Sequence, residues 1–67
     1  MEIKITTSFI KLDQLLKFSG MVSTGGEAKE VIAEGLVKVN GETAFQRGKK
    51  IYPGDMVEFG GENCKVI

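Results

Sequence analysis

The stretch Thr24–Glu42, TGGEAKEVIAEGLVKVNGE, changes its hydrophobic period partway along, and that change decides the fold. Up to Gly35 the apolar residues Ala28, Val31 and Ile32 recur at intervals of three and four, which sets them on one side of a helix. Its start, Thr24-Gly25-Gly26-Glu27, reads as a capping box. The Thr24 hydroxyl accepts a hydrogen bond from a first-turn amide, and the Glu27 carboxylate reaches back to the Thr24 amide. Gly35 suits the left-handed residue that closes a helix. From Leu36 the period is two: Val37 and Val39 alternate with Lys38 and Asn40, and Asn40-Gly41 is a two-residue hairpin turn. A helix followed directly by a hairpin is the result.

Toward the N-terminus, Phe9, Leu12, Leu15 and Leu16 fall at helical spacing, with Thr7 and Ser8 available as caps and Gly20 as the stop. Before them, Glu2–Thr6 alternates with Ile3 and Ile5 on one side, the pattern of a short half-buried strand. Toward the C-terminus, Gln46–Lys50 is a polar basic loop around Gly48, and Pro53-Gly54-Asp55 marks a turn. Met56–Phe59 then alternates with Val57 and Phe59 inward, Gly60-Gly61 turns the chain, and Glu62–Ile67 directs Cys64 and Val66 to the core. The predicted architecture is α+β: a short N-terminal strand, two helices, then a small antiparallel sheet of about four strands, one domain over residues 1–67.

Hydrophobic residues make up 42% and charged residues 27%, ordinary globular usage, and no apolar run approaches the roughly 20 residues of a membrane helix. The opening MEIKITTSF lacks the apolar centre and cleavage site of a secretory signal, so a soluble cytoplasmic chain is expected. Cys64, the one cysteine, is read as a small buried hydrophobe. Histidine is absent, no nucleophile has a nearby base, and no metal-ligand spacing appears. The expectation is a non-catalytic module with no cofactor, metal or small-molecule substrate. Gly25-Gly26 matches neither a P-loop nor a dinucleotide fingerprint.

Nine basic and nine acidic residues cancel, yet they are unevenly spread. Between Lys11 and Lys50 there are seven cations against five carboxylates, and beyond Lys50 the acids lead three to one. Three features are candidates for binding phosphate. Lys29 in the first turn of the second helix opposes the helix dipole at about 0.3–1 kcal/mol, and with open amides at Gly25 and Gly26 it would suit a phosphate. A solvated lysine screened by Glu27 and Glu30 explains the same residues. Arg47, Lys49 and Lys50 place three cations around Gly48, a density matching closely spaced phosphates, or merely a solvated loop. Lys38 lies on the polar side of its strand, and Lys11 and Lys17 sit on the first helix. Tyr52 either stacks on a base or packs half-buried before Pro53.

The run IKLDQLLKFSGMVSTGGEAKEVIAEGLVKVNGE followed by RGKKIYPGDMVEF resembles the S-four RNA-binding domain over about Phe9 to Phe59. The parts that carry the likeness are Lys11-Leu12-Asp13, Glu27-Ala28-Lys29, Gly35-x-Val37-x-Val39-Asn40-Gly41 and Pro53-Gly54-Asp55. The basic loop and the lack of another domain make it similar to the small stand-alone bacterial (YaaA/YbcJ-like) members. The resemblance implies a surface for structured RNA made by the two helices and the hairpin. Lys11, Lys29, Lys38 and the loop Arg47, Lys49, Lys50 map onto it, and ribosomal RNA or an assembling ribosomal particle would be the partner. Where many members carry an arginine between two small hydroxyl residues, this chain departs with Gly25, so the resemblance implies at most a backbone contact there in place of a side-chain one. Two other readings stand beside this one. A protein-interaction module of the same fold is favoured by zero net charge, and a sulfur carrier would need Gly60-Gly61 at its terminus, where six more residues follow.

Overall fold

The computed structural model describes residues 1–67. In chain order the elements are β1 (Glu2–Ile3), β2 (Ile10–Lys11), α1 (Leu12–Phe18), α2 (Gly25–Ala33), β3 (Lys38–Val39), β4 (Glu42–Thr43), β5 (Lys50–Ile51), β6 (Met56–Phe59) and β7 (Glu62–Val66). Five strands form one sheet in the order β1-β7-β6-β3-β4. Four of these, β7-β6-β3-β4, are the expected antiparallel sheet. β1 adds to it in parallel, Ile3 opposite Val66, so the sheet is mixed. The predicted strand Glu2–Thr6 is assigned only at Glu2–Ile3, but the Ile5 amide still donates to the Ile67 carbonyl at 3.0 Å.

Alternation along the strands puts Val39, Val57, Cys64 and Val66 on the inner face, where they meet Leu12, Leu15 and Leu16 of α1 and Ala28 and Ile32 of α2. These residues are buried, and Val31, Phe59, Ile3 and Ile5 pack at the margin. The predicted core residues all fall in this cluster or against its edge, except Phe9. In a chain this short so small a core leaves little stability to spare, and trimming a buried Leu or Ile to Ala costs about 2–5 kcal/mol.

Two turns fix the sheet. Asn40 and Gly41 have φ of 52° and 85°, the geometry of a turn whose twist matches its strands, and Val39 faces Glu42 across it. Gly54, at φ 100°, lets Tyr52-Pro53-Gly54-Asp55 close with the Asp55 amide on the Tyr52 carbonyl at 3.0 Å. The two turns are tied together. Asn40 Nδ2 donates to Asp55 Oδ1 at 3.1 Å, Asn40 Oδ1 accepts from the Met56 amide at 2.9 Å, and Asp55 Oδ2 accepts from the Tyr52 amide at 2.8 Å. Asn-Gly and Pro-Gly-Asp therefore serve the architecture: they clamp the β3–β4 hairpin against the entry to β6.

The first helix departs from the reading above. Thr7 and Ser8 do not cap it, and Phe9 lies outside it; Thr7 Oγ1 donates instead to the Phe9 carbonyl at 2.8 Å. Residues Ile10 and Lys11 remain extended and pair antiparallel with Ile51 and Lys50, a two-stranded ladder that local sequence patterns did not reveal. α1 starts only at Leu12, after Lys11 as an extended N-cap with no side-chain cap. Its orphan amides find partners far along the chain: Leu12 donates to the Lys49 carbonyl at 2.9 Å and Asp13 to the Arg47 carbonyl at 3.0 Å.

α2 follows the sequence closely. Thr24 Oγ1 accepts from the Glu27 amide at 3.1 Å, and Glu27 Oε1 accepts in return from the Ser23 amide at 2.7 Å, one residue earlier than the box predicts. At the other end, Gly35 at φ 75° donates to Ile32 and Leu36 to Val31, the paired bonds of a Schellman closure.

Candidate nucleic-acid interface

The basic loop is held by its backbone and shows its side chains to solvent. A turn closes it, with the Lys49 amide on the Gln46 carbonyl at 3.2 Å, while the Arg47 and Lys49 carbonyls point to the α1 amides. Arg47, Gly48, Lys49 and Lys50 are all exposed. Anchored carbonyls and outward side chains together present the cations from a tethered backbone.

Tertiary packing brings Lys29 to this loop. Lys29, Ile32 and Ala33 of α2 line one shallow groove with Phe45, Gln46, Arg47 and Gly48, and no carboxylate lines it. Phe45 and Gln46 form the ridge between that groove and a second one, which contains Lys49, Asn40 and the hairpin residues Glu42–Ala44. Lys29, expected in the first turn of α2, is its fifth residue, beyond the strongest part of the dipole.

One turn earlier stand Gly25 and Gly26. Neither has a positive φ, and a Cβ on Gly25 would meet nothing within 4 Å; one on Gly26 would make only an ordinary contact with Thr24 Oγ1 at 3.9 Å. Gly48 is equally unconstrained. The fold does not need glycine at these three exposed positions, and glycine early in a helix carries an entropic cost on the order of 0.5–1 kcal/mol. What glycine does there is leave the backbone bare for close approach.

Lys11 and Lys50 form a second cationic point, directly opposite each other in the β2–β5 ladder and both exposed. Like charges across a strand pair are unfavourable. Lys50 Nζ gains some return by lying 4.9 Å from the centre of the Phe9 ring, which tilts in turn against Tyr52 at 6.1 Å. Tyr52 thus packs on Phe9 while remaining half exposed.

Two lysines stand apart. Lys38 lies on the outer face of the sheet between Thr43 and Glu58, lines neither groove, and has an opposite charge as its cross-strand neighbour. Lys17 closes α1, where a cation complements the dipole, beside Ile10, Gln14 and Phe18. Sequence reasoning overlooked Phe45, which is 66% exposed. The signal was present: Ala44 is inward, so an aromatic one position later, at the border of the basic loop, must face out.

No three His, Cys, Asp or Glu side chains gather as a metal site, and no helix is long and apolar enough to cross a membrane. Cys64 is fully buried, and burial pushes its thiol pKa above the ordinary value, against a smaller lowering by the N-terminal ammonium. It remains a protonated core residue.

Residues 3–67 match the family model of the S4 domain. The chain is 44% identical over 59 residues to the "Probable ribosome maturation protein RlbA" of Bacillus subtilis, covering 88% of this chain and 83% of that one. It is 40% identical over 58 residues to YbcJ of Escherichia coli K12, covering 87% and 83%. The solution structure of YbcJ, described as revealing an ALFAL motif involved in RNA binding, superposes with a TM-score of 0.76 at 34% identity, over 98% of this chain and 85% of that one. The ribosomal protein S4e of Thermoplasma acidophilum aligns with a TM-score of 0.65 at 27% identity, over 87% of this chain and 31% of that larger one. On sequence and on fold alike, the chain belongs to the S4 domain family.

Proposed function

We propose that this domain is a non-catalytic module that binds structured RNA through phosphates, with ribosomal RNA or a ribosome assembly intermediate in the cytoplasm as its partner. The observation that carries the reading is the meeting of Lys29 from α2 with Arg47 and Gly48 of the basic loop in one groove free of carboxylates, with Lys49 in the next. Exposed cations beside bare backbone suit phosphate oxygens, and such contacts position a domain on RNA without reading its bases. The names of two relatives support the same direction, one as a ribosome maturation protein and one through a motif involved in RNA binding. Lys11 and Lys50 extend the contact along the β2–β5 ladder. Lys38, paired with Glu58, contributes least.

The test is a fluorescence-anisotropy titration of structured ribosomal RNA fragments and matched duplex DNA at two salt concentrations. Wild type is set beside the triple variant Arg47→Glu, Lys49→Glu, Lys50→Glu. Preferential RNA binding that weakens with salt is expected, and the variant's slope should be shallower by about 0.7–0.9 per lost phosphate contact. Binding that the variant leaves unchanged would remove the loop from the site. Absence of binding would favour the protein-interaction reading, which the zero net charge supports.

A further inference from the structure

We propose that Phe45 is a stacking platform for an unpaired base, so that the RNA this domain selects carries a single-stranded nucleotide beside the helical segment held by the basic loop. The inference rests on the RNA-binding reading above and names a feature of the RNA that phosphate contacts alone do not require.

Four observations on Phe45 converge. The residue is 66% exposed in a chain whose core is small, so packing does not explain why it is aromatic. The ring lies over the end of α2: its Cε1 is 3.1 Å from where a Cβ on Gly35 would be, and the Thr43 methyl is 3.6 Å from the same point. A Cβ on Gly35 would push the ring by a few tenths of an ångström, and glycine is needed there for its φ of 75°. Cations stand on both sides of the ridge: Lys29 and Arg47 line one groove, free of carboxylates, and Lys49 lines the other together with Glu42. Finally, Gln46 adjoins the ring on the same ridge and offers both a donor and an acceptor to a base edge.

A solvent-facing aromatic ring flanked by cations is the arrangement that takes single-stranded nucleotides, because every base has a π-face while the cations hold the backbone. An A-form helix hides its base faces, so the ring gains contact only where a nucleotide is unstacked by a bulge, a loop or a strand end. The exposed Phe18 offers a contrast: Lys17 is the one cation in its hollow, and nothing there would hold a phosphate backbone on both sides.

The test compares a hairpin stem with the same stem carrying a single-nucleotide bulge of 2-aminopurine. Wild type, Phe45→Leu and Phe45→Trp are used, each checked for native circular dichroism. Wild type should bind the bulged RNA about tenfold more tightly than the plain stem and quench the 2-aminopurine, in line with base–aromatic stacking. Phe45→Leu should bring the bulged RNA down to the plain stem's affinity while leaving the stem's affinity and salt slope unchanged, and Phe45→Trp should restore both preference and quenching. Equal binding of the two RNAs by wild type would overturn the proposal while leaving the phosphate reading standing. A Phe45→Leu variant that keeps the preference, or that loses both RNAs equally, would overturn it too. If wild type binds neither RNA in a salt-dependent way, both readings fail together.

Discussion

The two helices begin in opposite ways. α2 is capped from within its own sequence, by Thr24 and Glu27, and its first residues Gly25 and Gly26 face open solvent. α1 has no side-chain cap; its first amides, of Leu12 and Asp13, are taken by the carbonyls of Lys49 and Arg47, 37 and 34 residues further along the chain. One helix start is thus closed by the distant loop that carries the cations, and the other by side chains of its own first turn. The difference teaches how a chain with no net charge makes a cationic groove: α1 serves as the anchor for the loop, and α2 supplies Lys29, which lines a groove with it.

Reversing charge on the loop side should separate the two halves of this picture most strongly. Arg47→Glu is expected to weaken RNA binding on the order of tenfold or more, through a lost phosphate contact and a new repulsion, whereas Lys38→Glu on the outer sheet face should change affinity severalfold less. Anisotropy titrations at one salt concentration measure both, and equal effects would erase the distinction between groove and sheet.

The helix ends themselves can be compared by urea denaturation. Thr24→Ala should destabilise the domain by about 1 kcal/mol, within the usual range of about 0.5–2 for a lost cap. Thr7→Ala and Ser8→Ala should each fall within about 0.5 kcal/mol of wild type, because neither hydroxyl caps α1. A large loss at Ser8 would mean that α1 is capped locally after all.

Gly25→Ala is a smaller and more telling change. Stability should rise by about 0.4–1 kcal/mol, since alanine fits the backbone and meets nothing, while RNA binding should weaken because a methyl group covers the approach to the amides. A variant both more stable and equally tight would remove Gly25 from the interface.

The smallest effect serves as a control outside both helix ends. Folding holds the Cys64 thiol above its ordinary pKa of 9.0, so above that pH the unfolded chain releases a proton that the native one keeps. Stability should therefore fall as pH rises past that value, and by the same amount in the Thr24 and Gly25 variants. Denaturation at neutral and alkaline pH would show this, and Cys64→Ala should abolish the difference.

How much of this was legible follows from how local each signal is. The α2 box, the change of period at Leu36 and the Asn40-Gly41 turn are set by neighbours within a few residues, and alternation was enough to pick out Val39, Val57, Cys64 and Val66 as core. What escaped the sequence depends on distant partners. Ile10 and Lys11 look helical until Ile51 and Lys50 pair with them, and no local pattern announces that Lys49 will cap Leu12 or that β1 will run parallel to β7. The candidate site divides in the same manner. Lys29 and the loop were singled out by type and spacing, but only folding brings them together, separates Lys38 from them, and turns Phe45 outward on the ridge between the grooves.

The most direct test of the central claim, that RNA is gripped where the loop meets α2, is amide chemical-shift mapping during titration with a structured ribosomal RNA fragment. The account predicts that the largest shifts fall on Gly25, Gly26, Lys29 and Phe45–Lys50, with Lys17, Lys38 and Glu58 nearly unmoved. Shifts centred on the outer sheet face around Lys38 and Glu58, with the loop and the α2 start unchanged, would contradict it.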